Sequence, residues 1–299
     1  MNQFLSLFSL YIFIILGFFA KHIFKEKIDE KSLVLISIYF LQPFIILWGF
    51  STKKIDFSVI EAPLIFSLIV LIIFIFSLIV SKLFNDRKDK SIFIVTAIVG
   101  NTGNLGIPIA LMLFGKESII YTTFINIINI ILVYVIGVFF YSLGSSSIKQ
   151  SILNIFKLPA LWFIAIAIIL NLCNIKYPKP LETTLQMGAY TTMVIQLFIF
   201  GVYLKSVTIN SIDWKFISIL TIFKYLFIPL IAIVILKEFN LSDLVYNVIL
   251  LELIVPIAVM NVNLAALYNC KPNKVAFLTF VTSIIFLIYL YILMGFLFR

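Results

Sequence analysis

Two short polar stretches interrupt segments that are otherwise almost wholly apolar. The first reads Gly100-Asn101-Thr102-Gly103-Asn104-Leu105-Gly106-Ile107-Pro108, with apolar runs at 91–99 and 109–114 on either side. The second runs from Glu252 through Pro256 to Asn261 and Asn263. An asparagine amide both donates and accepts hydrogen bonds, and proline removes a backbone donor and disrupts the turn before it. Residues of these types suit a neutral, water-poor site that orients a polar ligand. Glycines at 100, 103 and 106 also fit a small-residue face for close helix packing. Packing accounts for the glycines but leaves Asn101, Asn104 and Pro108 unexplained.

Two ionisable residues fall inside apolar segments, where a charge is costly and a functional role is the default hypothesis. Lys224 could neutralise an anion, pair with a carboxylate, or extend its stem to the membrane surface. Glu252 could carry a proton, or simply be a polar residue in a vestibule. Gln42, Gln196, Asn126 and Asn129 read first as hydrogen-bond contacts between helices. His22 stands in a charged loop with no neighbouring metal-ligand set. No Ser/His/Asp, Cys/His or HExxH arrangement is present, so the sequence makes no case for an enzyme, a metal or a cofactor. The glycines do not follow a strand in Rossmann spacing. Gly115-Lys116-Glu117-Ser118 is not a Walker loop, because Ala110 occupies the upstream glycine position.

The elements that must position these residues are membrane helices. Of 299 residues 63% are hydrophobic and 12% charged, about half the charge of a soluble domain. The net charge of +9 comes from lysines between apolar runs, not from a basic patch suited to nucleic acid. Hydropathy gives ten spans at about 4–20, 32–50, 57–81, 91–114, 118–142, 158–174, 183–204, 216–236, 243–268 and 274–298. The run at 4–20 has no basic residue before it and meets Lys21 directly after, so it reads as a retained helix rather than a signal peptide. Fourteen Lys and Arg fall in the odd-numbered loops and seven in the even-numbered loops and C-terminus. That bias predicts a multi-pass protein of the cytoplasmic membrane with both termini outside. Residues 1–142 and 158–299 then form five-helix halves of opposite orientation, joined by a cytoplasmic linker at 143–157 that contains Gly144-Ser145-Ser146-Ser147. Asp56 and Asp213 occupy similar places before spans three and eight. Cys173 and Cys270 fall near opposite faces, which argues against a disulfide.

Both polar stretches then lie in corresponding spans, four and nine. Broken helices persist in membranes only where the freed backbone is buried in protein or lines a cavity, and a pair of them points to a secondary transporter. At these residues the chain resembles the auxin efflux carrier family, whose prokaryotic members include malate and malonate permeases. The likeness rests on residues 100–108 followed by Phe114-Gly115-Lys116-Glu117, on Leu158-Pro159-Ala160, and on 198–204 with Gly201. It continues through Lys224 with Pro229 and residues 256–261 to Ala265 and Tyr268. The chain departs from the family pattern at Leu158, at Val194 and at Val255-Pro256.

The resemblance implies an all-α membrane protein of ten helices in two inverted five-helix repeats, as in bile-acid symporter-like folds. Its scaffold and transport domains would move in an elevator-like cycle. It also implies a site at the crossing of spans four and nine, onto which Asn101, Asn104, Pro108, Pro256 and Asn261 carry over. Gly103 and Asn263 join them from the reading of the breaks. The expected ligand is a small organic anion, a mono- or dicarboxylate, with the lipid bilayer as the other partner. Proton or sodium coupling and homodimerisation stay open. So do a channel or uniporter, and a membrane sensor or scaffold that moves no substrate.

Overall fold

In a computed structural model, residues 2–51, 59–208 and 212–296 are described, with side chains for 12–51, 59–208 and 212–291. Asp56, Lys53 and Lys54 lie outside the described residues, as do the start of the third expected span and Arg299. The chain is helical, with no strand among the described residues. In order the helices are α1 (Asn2–Phe24), α2 (Glu30–Ser51), α3 (Glu61–Leu83), α4 (Arg87–Ile98), α5 (Thr102–Phe114) and α6 (Ser118–Leu143). They continue as α7 (Ile148–Lys157), α8 (Pro159–Leu172), α9 (Lys179–Lys205), α10 (Trp214–Leu236), α11 (Asp243–Ile254), α12 (Met260–Leu267) and α13 (Pro272–Phe296).

Among the described residues, six helices are long and apolar enough to cross a bilayer, or seven if α7 and α8 count as one bent span. The sequence predicts ten. Part of the difference lies in the breaks: α4, α5, α11 and α12 have 12, 13, 12 and 8 residues, each well short of the roughly 20 that a span needs. The region 143–157, expected as a linker, is helical from Ile148 onward and meets α8 at a bend of 51°.

Proline shapes several of these helices. Wide turns at Ile36–Leu41, Thr102–Gly106 and Phe223–Phe227 each come just before Pro43, Pro108 or Pro229. Gln42, Ile107 and Ile228, the residues directly before the prolines, donate their N–H five residues back, to Ser37, Thr102 and Phe223. A proline ring crowds the carbonyl four residues before it, and widening the turn relieves that clash.

Packing divides the helices into two groups. The first consists of α1, α2, α8 and α9; the second consists of α3 to α6 with α10 to α13. Gly17 on α1 and Gly201 on α9 let these two helices approach closely. A Cβ at Gly17 would collide with the Phe198 carbonyl, and one at Gly201 with that of Ile14. In the second group Phe84, Phe93, Phe216 and Phe223 form a chain of ring contacts at 4.6–5.3 Å. On the outside, Leu64, Leu68, Leu71, Ile75 and Ile79 of α3 are exposed at helical spacing, the apolar face that lipid covers.

Candidate functional site

The two breaks cross each other. Val99 leaves the helix in an extended conformation, and Gly100 pairs with Ile257 as a lone antiparallel bridge. Asn101 N–H donates to the Pro256 carbonyl at 2.8 Å, and Ala258 N–H to the Val99 carbonyl at 3.4 Å. Backbone groups freed by a break must find partners in a membrane interior, and side chains supply the rest. The Asn129 amide donates to the Gly100 carbonyl at 2.8 Å. The Asn261 amide donates to the carbonyls of Val99 at 3.4 Å and Ala258 at 3.1 Å, and Thr282 Oγ1 accepts from Ile257 N–H at 3.4 Å. Asn261 is fully buried, and its Oδ1 accepts from the Tyr141 hydroxyl at 3.0 Å.

The glycines of the first break seat it against its neighbours. A Cβ at Gly100 would come within 2.7 Å of Val255 Cγ2, and one at Gly103 within 2.9 Å of Asn126 Oδ1. One at Gly106 would enter the space of the Glu252 carboxylate. The packing role read from the 100, 103, 106 spacing is therefore real, and it coexists with a cavity.

That cavity, of about 450 Å³, lies between the two helix groups at the crossing. One wall comes from α2 and α9, with Gln42, Trp48 and Gln196 among its residues. The facing wall comes from Gly100 to Asn104, from the stripe Thr123, Asn126, Ile130, Tyr134 of α6, and from Ala258, Val259 and Met260. Helices α5 and α12 begin at Thr102 and Met260, so both N-termini open onto the space. The first N–H groups of a helix lack intrahelical partners and carry its positive dipole end. No Asp, Glu, Lys, Arg or His lines the cavity among the described residues. Its polarity comes from amides, hydroxyls and backbone. Thr102 donates to Asn126 Oδ1 at 2.8 Å, and the Gln196 amide to Gln42 Oε1 at 2.7 Å. The buried Asn129 Oδ1 and Tyr134 hydroxyl have no hydrogen-bond partner among the described residues.

Of the residues expected from sequence, Asn101, Gly103 and Asn104 stand on the cavity wall. Pro256 and Asn261 hold the crossing, Pro108 follows the wide turn of α5, and none of the three lines the cavity. Asn263 is fully buried beyond it, with Oδ1 unpartnered. Lys224 and Glu252 are each 1% exposed and away from the cavity wall. Neither enters an ion pair among the described residues, and both Glu252 carboxylate oxygens are unpartnered. Gln42, Asn126, Asn129 and Gln196, which read as interhelical contacts, make those contacts and line the cavity as well. Thr102, Thr123 and Tyr134 were missed by sequence reasoning. The helical spacing of 123, 126, 130 and 134 is the signal that could have found the last two.

At one end of the second helix group, outside the spans, Lys271 pairs with Asp86 and Asp89, and Lys274 with Asp89 at 3.0 Å and Asp213 at 2.9 Å. The network ties together the N-termini of α4, α10 and α13. The hydrogen bond from Lys271 holds the Asp86 carboxyl below its ordinary value. Burial opposes the same shift at Asp213, where hydrogen bonds from Lys274 and the Phe216 N–H outweigh it. Cys173 is exposed and Cys270 buried, and both are free thiols.

Helices that bury their backbone, expose apolar stripes and enclose a polar cavity at crossed breaks define a polytopic membrane protein of the transport class. The chain matches the membrane transport protein family over residues 3–151 and 143–294. It belongs to that family, the auxin efflux carrier family of the sequence resemblance. It is also 26% identical over 284 residues, 91% of each chain, to an uncharacterized transporter of Methanocaldococcus jannaschii. The protein is a membrane transporter.

Proposed function

We propose that the protein is a secondary transporter of a small organic anion, a mono- or dicarboxylate such as malate or malonate, bound at the crossing. The observation that carries this reading is the convergence of two helix N-termini on one uncharged, amide-lined cavity. Oriented N–H groups and positive dipole ends suit a carboxylate, and the wall places no carboxylate against it. Asn101, Asn104 and Asn126 would orient the anion. Pro256 and Asn261 would hold the break that presents it.

The same reading takes the chain as ten spans in two inverted repeats in the cell membrane, with both termini outside. Helices α1, α2, α8 and α9 would be the scaffold, past which the other group carries the site in an elevator-like step. The position of the cavity between the two groups supports this division. Coupling to a proton or sodium gradient falls to Glu252, whose carboxylate packs against Gly106 in the broken segment. Lys224 is the second candidate for balancing charge.

The test is uptake of labelled malate and malonate into proteoliposomes of the purified protein. The expected result is saturable uptake, with exchange between the two sides. Uptake that rises linearly without saturation would make the protein a channel. Failure to bind or move any small carboxylate would favour a sensor or scaffold.

A further inference from the structure

Helix α7 is built inside out for a helix in water. Apart from the lysines at its two ends, its polar side chains face the protein. Ser151 is fully buried, the Asn154 amide donates to Ser142 Oγ at 2.8 Å, and the Gln150 amide donates to Asn154 Oδ1 at 2.8 Å. Four of its five apolar side chains face away, with Ile155 packed inward: Ile148, Ile152, Leu153 and Phe156 are 45–62% exposed. A water-facing helix would place them the other way round. The apolar face continues past the bend into Trp162, Ile166 and Ile169 of α8, so it is contiguous with a surface that lies in lipid. The bend itself is fixed where Trp162 Nε1 donates to the Phe156 carbonyl at 2.8 Å.

Cations mark this helix. Lys149 and Lys157 are exposed near its two ends, and Arg87 donates to the Ser146 carbonyl at 2.7 Å just before it begins. No Asp or Glu occurs between Glu117 and Glu182. We infer that α7 lies in the headgroup layer of the bilayer, its apolar face in the acyl boundary, and that Lys149 and Lys157 bind anionic lipid headgroups there. Outward apolar side chains with flanking lysines suit that boundary, and the positive residues match the negative surface of an anionic leaflet. The occupant is lipid, because the apolar face is unbroken from α7 to the membrane-embedded part of α8. The contact would anchor the segment that joins the two halves of the chain.

The experiment uses the full chain in vesicles of phosphatidylcholine with phosphatidylglycerol. A spin label at Ile152→Cys or Phe156→Cys, with Cys173 and Cys270 replaced by serine, should collide frequently with oxygen and rarely with a water-soluble nickel chelate. Frequent nickel collisions would place the face in water and overturn the proposal. Infrequent collisions with both would show it covered by protein, such as a second copy, and overturn it equally. With both native cysteines kept, Lys149→Gln/Lys157→Gln should retain phosphatidylglycerol more weakly in native mass spectrometry, by roughly fivefold per lysine. Retention equal to the parent chain would refute the headgroup assignment.

Discussion

The two breaks share a backbone pairing but divide the work around it. The first, from Val99 to Thr102, places Asn101, Thr102, Gly103 and Asn104 on the cavity wall. The second contributes an apolar edge of Ala258, Val259 and Met260, and turns both its asparagines inward. There Asn261 joins Val99 of the first break, Tyr141 of α6 and Ala258 of its own break. On the proposed function, one break reads the ligand while the other holds the geometry. Polar residues at a broken helix thus serve two needs, and only their direction tells which.

The largest effect is expected at the holding side. Asn261→Ala removes the amide from the Val99 and Ala258 carbonyls and strands the buried Tyr141 hydroxyl, so unfolding in detergent should show a loss of roughly 3 kcal/mol. Full stability with lost ligand binding would reverse the division of roles. Next comes Gly106→Ala, whose methyl enters the space of the Glu252 carboxylate. It should cost about 1–3 kcal/mol, and Glu252→Ala in the same chain should restore part of that. Additive losses in the double variant would show that the two sites do not touch.

On the reading side, Asn126→Ala should cost stability by only about 1 kcal/mol while weakening carboxylate binding roughly tenfold or more. A parallel change in stability and binding would make it a packing residue. The smallest effect concerns the ion-pair network remote from both breaks. Asp86 and Asp213 are held below their ordinary values, so their contribution is full at neutral pH and is lost as pH falls through those values, below about 4. Because both carboxylates are partly exposed, solvent screens the pairs. Asp86→Asn/Asp213→Asn should flatten the acid limb of the melting curve and leave carboxylate binding unchanged.

The crossing was legible because lipid forbids unsatisfied backbone. Glycines, asparagines and a proline inside an apolar run must signal an internal break, and residues 256–263 gave its counterpart. Which asparagine faces the cavity was not legible. Asn101 and Asn261 occupy similar places in their breaks, and only the path of the chain turns one to the cavity and the other to Tyr141. Asn126 and Asn129 looked like contacts between helices, which they are. Their second role needed the opposite wall from Gln42 and Gln196, more than fifty residues away in either direction. Helix α7 was hidden for another reason. Gly144 and the serines just before it suggest a linker, and its inverted polarity shows only against the neighbours that bury Ser151.

Binding of malonate to the purified protein, measured calorimetrically for the parent chain and for Asn101→Ala, tests the crossing most directly. The account predicts saturable binding to the parent, weakened roughly tenfold or more in the variant at an unchanged melting temperature. Equal affinity in the two proteins would contradict it.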